Sequence, residues 1–254
     1  MPNFGYPVPD WQLVLPRKTQ DQDARVNFLY IEQQYNHHVH TPVNPDNAPI
    51  RPTPWDDEFD ARILDSKWTV FNQGTMTYVL NLSNLEATVP GTAGDNVRAF
   101  LQPIPGTPWE FQAKLSMHGN VVPYAGAGLI LRESSTGKII LWWATLNNSA
   151  PVTPVLDVDR YTNETTSNST PFRATASPGW PLYFALRNDG TTLHYGYSAD
   201  GKTYGEVFTE SPTAFLLGGA DQVGIATNAI RTTVTPTAQM VCDWFRKFIG
   251  TSTF

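Results

Sequence analysis

The sequence predicts an all-β protein in which two antiparallel sheets pack as a sandwich, preceded by an N-terminal arm. After position 55, apolar residues come in short runs divided by Gly, Pro, Asn and Asp, which is typical of strands. That region contains no stretch of ten or more residues with helical period and caps. The runs are also too closely spaced for crossover helices, so the strands are expected to pair antiparallel.

The first 40 residues predict an arm that contains one short helix. Phe28, Ile31 and Tyr35 recur at helical intervals within residues 20 to 36. A helix of this length is marginal alone in water, because burial of its apolar stripe must outweigh the entropy of ordering it. We therefore expect these three residues to mediate assembly by packing on a partner.

Residues 41 to 54 are predicted to form an extended linker. Five prolines fall within this stretch, and proline fits neither a helix interior nor a central strand. The chain is expected to divide into an arm at residues 1 to 40, this linker, and a β-sandwich at residues 55 to 254.

One hairpin of the sandwich can be predicted residue by residue. Between positions 182 and 187, Leu and Phe at the even positions predict the face toward the core. Tyr183 and Arg187 then face outward, and residues 188 to 190, Asn-Asp-Gly, supply the turn. The same alternation on the return strand places His194 on the outer face.

Composition and charge exclude several classes of function. The formal charge of -6 arises from 17 Lys and Arg against 23 Asp and Glu, which lacks the basic excess needed to neutralise phosphates. Nucleic acid is therefore not an expected partner. The sequence has no run of about 18 apolar residues, and its first residues lack the pattern of a signal peptide. We expect neither membrane insertion nor a secretion signal.

Catalytic motifs are not recognisable in the sequence. It lacks the Gly-x-Ser-x-Gly elbow of serine hydrolases, and its eight Glu residues are scattered rather than paired as a two-carboxylate glycosidase requires. We predict a protein that is not an enzyme, and rank an active glycosidase with a diverged site as the last alternative.

Two short segments are candidates for metal binding. In an extended segment, His38 and His40 point the same way, and a threefold axis would gather six such imidazoles around a transition metal. The alternative is a polar helix end, where His is favourable beside the C-terminal dipole. Asp157 and Asp159 are a weaker candidate for Ca²⁺, which requires six to eight oxygens. No other cofactor is expected.

Aromatic and planar polar side chains on outer faces point to sugar binding. Trp142 and Trp143 are adjacent in one strand run, so one of the two must face outward. The alternative is that such side chains only cover a solvated sheet face. The predicted carbohydrate-binding set lines one sheet face and comprises Arg132, Trp142 or Trp143, Tyr183, Arg187 and His194.

Five segments carry a resemblance to a known family: Asp57 to Asp60 with Trp68, Gly126 to Arg132, Leu193 to Tyr204, Gly224 to Ala226, and Cys242 to Arg246. In this order they resemble concanavalin A-like lectin/glucanase domains, and most of all the laminin-G-like and DUF1349-like modules attached to bacterial glycoside hydrolases. The resemblance implies a two-sheet jelly roll that often binds carbohydrate on its concave sheet or rim loops. Residues 198 to 204 also look like the Asp-box of sialidases with one residue missing, which is a structural turn in either family.

A helix and a proline linker ahead of such a sandwich resemble the architecture of phage virion proteins. This resemblance predicts a structural protein of the virion, such as a decoration, fibre or tail-appendage subunit, held by its arm against other virion proteins. It implies a homo-oligomer, a trimer if the histidines meet on a threefold axis, with a cell-surface glycan as candidate ligand. The alternative is an extracellular carbohydrate-binding module or inactive glucanase-like protein of a bacterium.

Overall fold

A computed structural model describes residues 53–81, 83–119, 124–146, 154–175, 180–230 and 237–248. The chain divides into the units Met1–Arg51 and Pro52–Phe254, and all of the described residues belong to the second unit. The predictions for Phe28, Ile31, Tyr35, His38 and His40 therefore lie outside the described residues.

Fourteen strands and their connecting turns make up the described part of the chain, which contains no helix and hence none long and apolar enough to cross a membrane. This confirms the all-β prediction. The strands are β1 (Thr69–Phe71), β2 (Thr77–Leu80), β3 (Leu85–Pro90), β4 (Arg98–Pro103), β5 (Trp109–Gly119), β6 (Ala125–Arg132), β7 (Ile139–Leu146), β8 (Pro154–Asn163), β9 (Thr166–Thr175), β10 (Leu182–Asn188), β11 (Leu193–Ser198), β12 (Gly205–Glu210), β13 (Gln222–Ala229) and β14 (Thr237–Lys247).

The strands form two seven-stranded sheets that pack face to face. Sheet A has the order β1-β4-β13-β6-β7-β8-β9, and sheet B has the order β12-β11-β10-β5-β14-β3-β2. All pairs within the two sheets are antiparallel, which confirms the predicted sandwich. Late strands β13 and β14 each lie between earlier strands, so both sheets are completed only by the C-terminal part of the chain.

Alternation along each strand builds the core between the sheets, and Trp142 lies at its centre. Its ring packs edge-on against Phe184 and Tyr195, with centroids 5.6 and 6.0 Å away. Its Nε1 donates a hydrogen bond to the Gly196 carbonyl at 2.9 Å. Trp142 therefore joins sheet A to sheet B by both apolar and polar contacts.

The predicted hairpin is confirmed as β10 and β11. Arg187 pairs with His194, and Tyr183 pairs with Ser198 across the two strands. At the turn, the Asn188 side chain accepts a hydrogen bond from the Gly190 amide at 2.8 Å. Gly190 has a φ of 103°, a conformation that side chains other than hydrogen rarely adopt.

Sheet A carries a second apolar cluster on the side away from the core. A Cβ on Gly128 would lie 2.3 Å from the Trp143 Cβ, so only glycine allows the tryptophan to lie this close to its neighbouring strand. The outer side of sheet A is therefore packed rather than solvated at these positions. The cluster comprises Val97, Ala99, Leu101, Ile130, Ile139, Leu141, Trp143, Tyr161 and Ala226.

The segment that enters the sandwich is fastened to its last strand. Asp57 and Phe245 exchange two backbone hydrogen bonds of 2.8 and 2.9 Å. The Asp57 carboxylate also accepts a hydrogen bond from Trp68 Nε1 at 2.7 Å, and Glu58 forms a two-pronged ion pair with Arg246. These carboxylates are engaged in holding the entry segment.

Candidate functional site

The predicted carbohydrate-binding residues do not lie on one face. Arg132, Trp142 and Trp143 belong to sheet A, whereas Tyr183, Arg187 and His194 belong to sheet B. The prediction of a single shared face is wrong. Alternation along a strand determines which side chains point the same way, but it does not determine which strands become neighbours in a sheet.

Neither tryptophan of β7 is open to solvent. Trp142 is fully buried in the core. Trp143 points to the outer side of sheet A as one of the pair was expected to, but it is only 3% exposed. Its Nε1 donates to Asp159 Oδ2 at 2.8 Å. The expectation that one of them stacks on a sugar is corrected, because the outer side of sheet A has its own apolar cluster.

Arg132 is also engaged within the protein. Its Nη1 donates to Gln222 Oε1 at 2.7 Å, and its guanidinium lies 4.5 Å from the centre of the Phe71 ring. It links β6 to β13 and covers the edge of the outer apolar cluster.

Sheet B presents a half-buried aromatic pair on its outer face. The rings of Tyr183 and Trp244 lie 6.1 Å apart with their planes tilted by 43°. Lys114 of β5 lies between their strands, ion-paired with Asp243 and 6.0 Å from the Tyr183 ring. We name the surface formed by Lys114, Tyr183, Trp244 and Arg246 the aromatic face.

Trp244 was not predicted as a site residue, because a β-bulge determines its direction. Cys242 is buried in the core, and strict alternation would turn Trp244 toward the core as well. The register shifts between Cys242 and Trp244, so Phe245 is buried and Trp244 faces outward. Its outward ring contacts the Arg246 guanidinium at 4.5 Å.

Arg187 and His194 form a charged band beside the aromatic face. Arg187 lies between Glu110 and His194 in register. The ring nitrogens of His194 contact Glu206 at 2.5 Å and Asp189 at 3.0 Å. The hydrogen bond from His194, followed by those from Thr191 and Thr192, holds the pKa of Asp189 well below its ordinary value.

A second group of polar side chains lies on the outer side of sheet A. Asp157 is fully buried and accepts two hydrogen bonds from Arg173, at 2.7 and 2.9 Å. Asp159, two positions along β8, accepts hydrogen bonds from Trp143 and Thr170. We name Asp157, Asp159, Thr170 and Arg173 the acid cluster.

The two carboxyl groups of the acid cluster are in different electrostatic environments. Burial raises the pKa of Asp159 to about 6, and the charge of Asp157 adds to this, while the hydrogen bonds from Thr170 and Trp143 oppose it. Asp157, in contrast, has a permanent cationic partner in Arg173. Paired carboxyls with different environments are typical of acid–base sites, although buried ion pairs also produce them.

The calcium candidate does not fit these contacts. Both oxygens of Asp157 accept from Arg173, whose positive charge occupies the place a cation would take. Within the described ranges, no group of three or more His, Cys, Asp or Glu side chains is arranged to hold a metal ion.

Comparisons with known proteins establish the fold. No protein-family model and no curated protein matches the sequence. A glycoside hydrolase family 43 protein from Bacillus licheniformis is 16% identical with a TM-score of 0.58, covering 80% of this chain and 41% of its own. A Clostridium perfringens endo-β-galactosidase that releases GlcNAcα1-4Gal is 12% identical with a TM-score of 0.51, covering 82% of this chain and 64% of its own.

A third match is to a gut-microbial structure described with endo-acting O-glycanases that initiate mucin breakdown. It is 13% identical with a TM-score of 0.52, and the alignment covers 76% of this chain and 98% of that one. This chain spans only about two fifths of the length of the family 43 proteins. The glycoside hydrolase-like sandwich implied by the sequence resemblance is confirmed, while a virion origin gains no support.

The prediction that the chain is not an enzyme is contradicted by these comparisons. It depended on the absence of a Glu pair, yet the matched structures are those of glycoside hydrolases, among them a xylan β-1,4-xylosidase from Bacillus halodurans. The same fold therefore occurs in enzymes with little sequence similarity to this chain.

Proposed function

We propose that the sandwich is a carbohydrate-binding domain and that the aromatic face is where it contacts its glycan. The observation that carries the proposal is the pair of half-buried rings, Tyr183 and Trp244, on one outer sheet face. Aromatic rings offer flat apolar surface to the C–H faces of sugars, and the neighbouring Lys114 and Arg246 provide donors for hydroxyls.

The proposed glycans follow from the structural neighbours. Those proteins are named for xylan, for GlcNAcα1-4Gal and for mucin O-glycans. A panel of xylo-oligosaccharides, GlcNAcα1-4Gal glycans and mucin O-glycans therefore covers the candidate ligands. A shallow face desolvates few groups, so single-site affinity is expected on the order of 0.1 to 1 mM.

The binding experiment compares Trp244→Ala and Tyr183→Ala with the unchanged full chain by calorimetry on this panel. We expect each substitution to weaken binding at least 10-fold. Tyr124→Ala is the matched control, because Tyr124 is an aromatic residue 41% exposed that precedes β6 in sheet A. Equal loss in all three variants, or no loss in the first two, would reject the aromatic face as the binding surface.

Hydrolysis is the second candidate function, and the acid cluster favours it. Asp159 has the raised pKa of a proton donor, while Asp157 remains beside the cationic Arg173. In glycoside hydrolysis one carboxyl group protonates the leaving oxygen, and the other acts as nucleophile or activates water.

The hydrolysis experiment incubates the panel with the full chain and separates products by chromatography. The expected result is release of reducing ends that depends on pH near 6 and is lost in Asp159→Asn. No release by the unchanged chain on any panel member would reject hydrolysis and leave the binding proposal in place.

An assembly role for residues 1 to 40 is a separate proposal, with other virion proteins as partners and the virion as location. It is supported by the helical spacing of Phe28, Ile31 and Tyr35. Deleting residues 1 to 40 should leave a soluble sandwich that no longer forms the oligomer, as measured by light scattering. An unchanged oligomeric mass would count against the proposal.

A further inference from the structure

A cavity of about 430 Å³ opens at one end of the sandwich. It lies where the loop from β4 to β5, the turn from β10 to β11 and the loop from β12 to β13 meet. Its described lining comprises Ile104, Pro105, Gly106, Thr107, Trp109, Leu131, Asn188, Leu193, Pro212, Gly219, Ala220 and Asp221. This volume is near the lower limit for ligand pockets, so the space suits one small ring rather than a chain.

The inner walls of the cavity are apolar. Trp109, Leu131 and Leu193 are core residues of β5, β6 and β11 that line it from between the two sheets. Trp109 is only 4% exposed, and its ring packs against Phe111 at 5.6 Å. These walls are therefore held rigidly by the core and offer a ligand an apolar surface that is already formed.

Two polar side chains in the lining have fixed positions. The Asn188 Oδ1 accepts from the Gly190 amide, and its Nδ2 has no hydrogen-bond partner in the described part of the chain. The Asp221 carboxylate accepts from the Ser134 backbone amide at 2.7 Å and from its hydroxyl. A carboxylate oxygen can accept more than one hydrogen bond, so Asp221 and the Asn188 amide together offer an acceptor and a donor.

The charge of the lining restricts the ligand further. Burial alone would raise the pKa of Asp221, but the hydrogen bonds from Ser134 outweigh it and hold the pKa below its ordinary value. The described lining includes no Lys or Arg. An ionised carboxylate without a cation in the lining disfavours phosphate, sulfate and acidic sugars.

We propose that this cavity binds a single uncharged pyranose ring, so that the protein recognises the end of a glycan as well as its length. The ring would place a C–H face on the walls and its hydroxyls on Asp221 and Asn188. The inference takes its ligand class from the proposed function but uses a different site. Tyr183 and Asn188 are five residues apart on β10, about 17 Å, so substitutions at the two sites should act independently.

The experiment measures binding of methyl β-D-xylopyranoside, methyl β-D-galactopyranoside and methyl N-acetyl-α-glucosaminide to the full chain by saturation-transfer NMR and calorimetry. Ala220→Trp places a large ring in the cavity without removing a core side chain. Leu217→Trp is its control, since Leu217 lies in the same loop and is 71% exposed. We expect Ala220→Trp to weaken binding of a methyl glycoside at least 10-fold and Leu217→Trp to change it less than 2-fold.

Asp221→Asn provides a second variant, expected to weaken the same binding at least 5-fold with an unchanged melting curve. The proposal is overturned if the unchanged chain binds none of the methyl glycosides, or if Ala220→Trp and Leu217→Trp bind equally well. Trp244→Ala separates the two proposals. Methyl glycoside binding that survives it, without any oligosaccharide binding at the aromatic face, would reject the proposed function and retain the cavity.

Discussion

At the scale of single residues, Asp159 is a group whose ionisation the fold opposes. Its pKa rises from 3.8 in the unfolded chain to about 6 in the folded protein, mainly through burial. The folded protein therefore holds this proton more tightly. The stability that this preference provides is complete below pH 3.8 and is lost as the pH rises through 6. The ionised carboxylate then costs on the order of 2 to 3 kcal/mol.

We therefore predict that Asp159→Asn stabilises the protein at neutral pH. Asparagine can still accept from Trp143 Nε1 and donate to the Thr170 hydroxyl, but it carries no charge. The free energy of unfolding, from urea titrations at pH 4 and pH 7.5, should rise by about 1 to 2 kcal/mol at pH 7.5 only. A variant that is destabilised equally at both pH values would contradict the burial argument.

Trp142 should affect stability without affecting glycan binding. Trp142→Phe removes the hydrogen bond to the Gly196 carbonyl and leaves a void between the sheets, for which we expect a loss of about 2 to 3 kcal/mol. Trp244→Phe on the outer face should cost less than about 0.5 kcal/mol. Urea titration of both variants checks the contrast, and comparable losses would show that Trp244 has a structural role too.

At the scale of elements, the edge strand β9 depends on one ion pair for part of its attachment. Arg173→Ala would leave the fully buried Asp157 without a partner, whereas Arg173 itself is half exposed. Solvent screening at the exposed end reduces the effect, so we expect a loss of about 1 to 3 kcal/mol.

A double variant isolates the cause of that loss. Adding Asp157→Asn removes the unpaired charge, so the double variant should recover part of the stability lost in Arg173→Ala. Hydrogen exchange of the β9 amides should follow the same order. If the second substitution instead adds its own loss in full, the two side chains are not coupled.

Local patterns were sufficient to predict some elements and not others. The β10–β11 hairpin follows from alternation and a Gly turn, both of which act within a few residues. Trp244 could not be placed in this way, because one bulged position in β14 reverses the direction of every side chain after it. Similarly, no pattern in β6 or β7 indicates that they belong to a different sheet from β10.

At the scale of the whole molecule, the two outer sheet faces differ in kind. Sheet A is packed on both sides, with Trp143 and the acid cluster buried on its outer side. Sheet B is packed on its inner side, and its outer side carries the ion-paired aromatic face. The sequence resemblance pointed to a glycan but not to which face, because both faces alternate apolar and polar residues and only the assembled sheets distinguish them.

Removal of residues 1 to 51 should leave a sandwich that folds cooperatively on its own, whereas removal of residues 1 to 68 should not. The entry segment supplies core that no other part of the chain replaces: Phe59 and Trp68 are buried, and Trp68 packs against Phe245 at 5.2 Å. Losing two such side chains costs about 3 to 5 kcal/mol each, comparable to the whole stability of a typical domain. Circular dichroism melts of both truncations make the comparison. A cooperative β-sheet melt for the longer deletion would show that the pairing of Asp57 with Phe245 is dispensable, and none for the shorter would show that the sandwich needs its N-terminal arm.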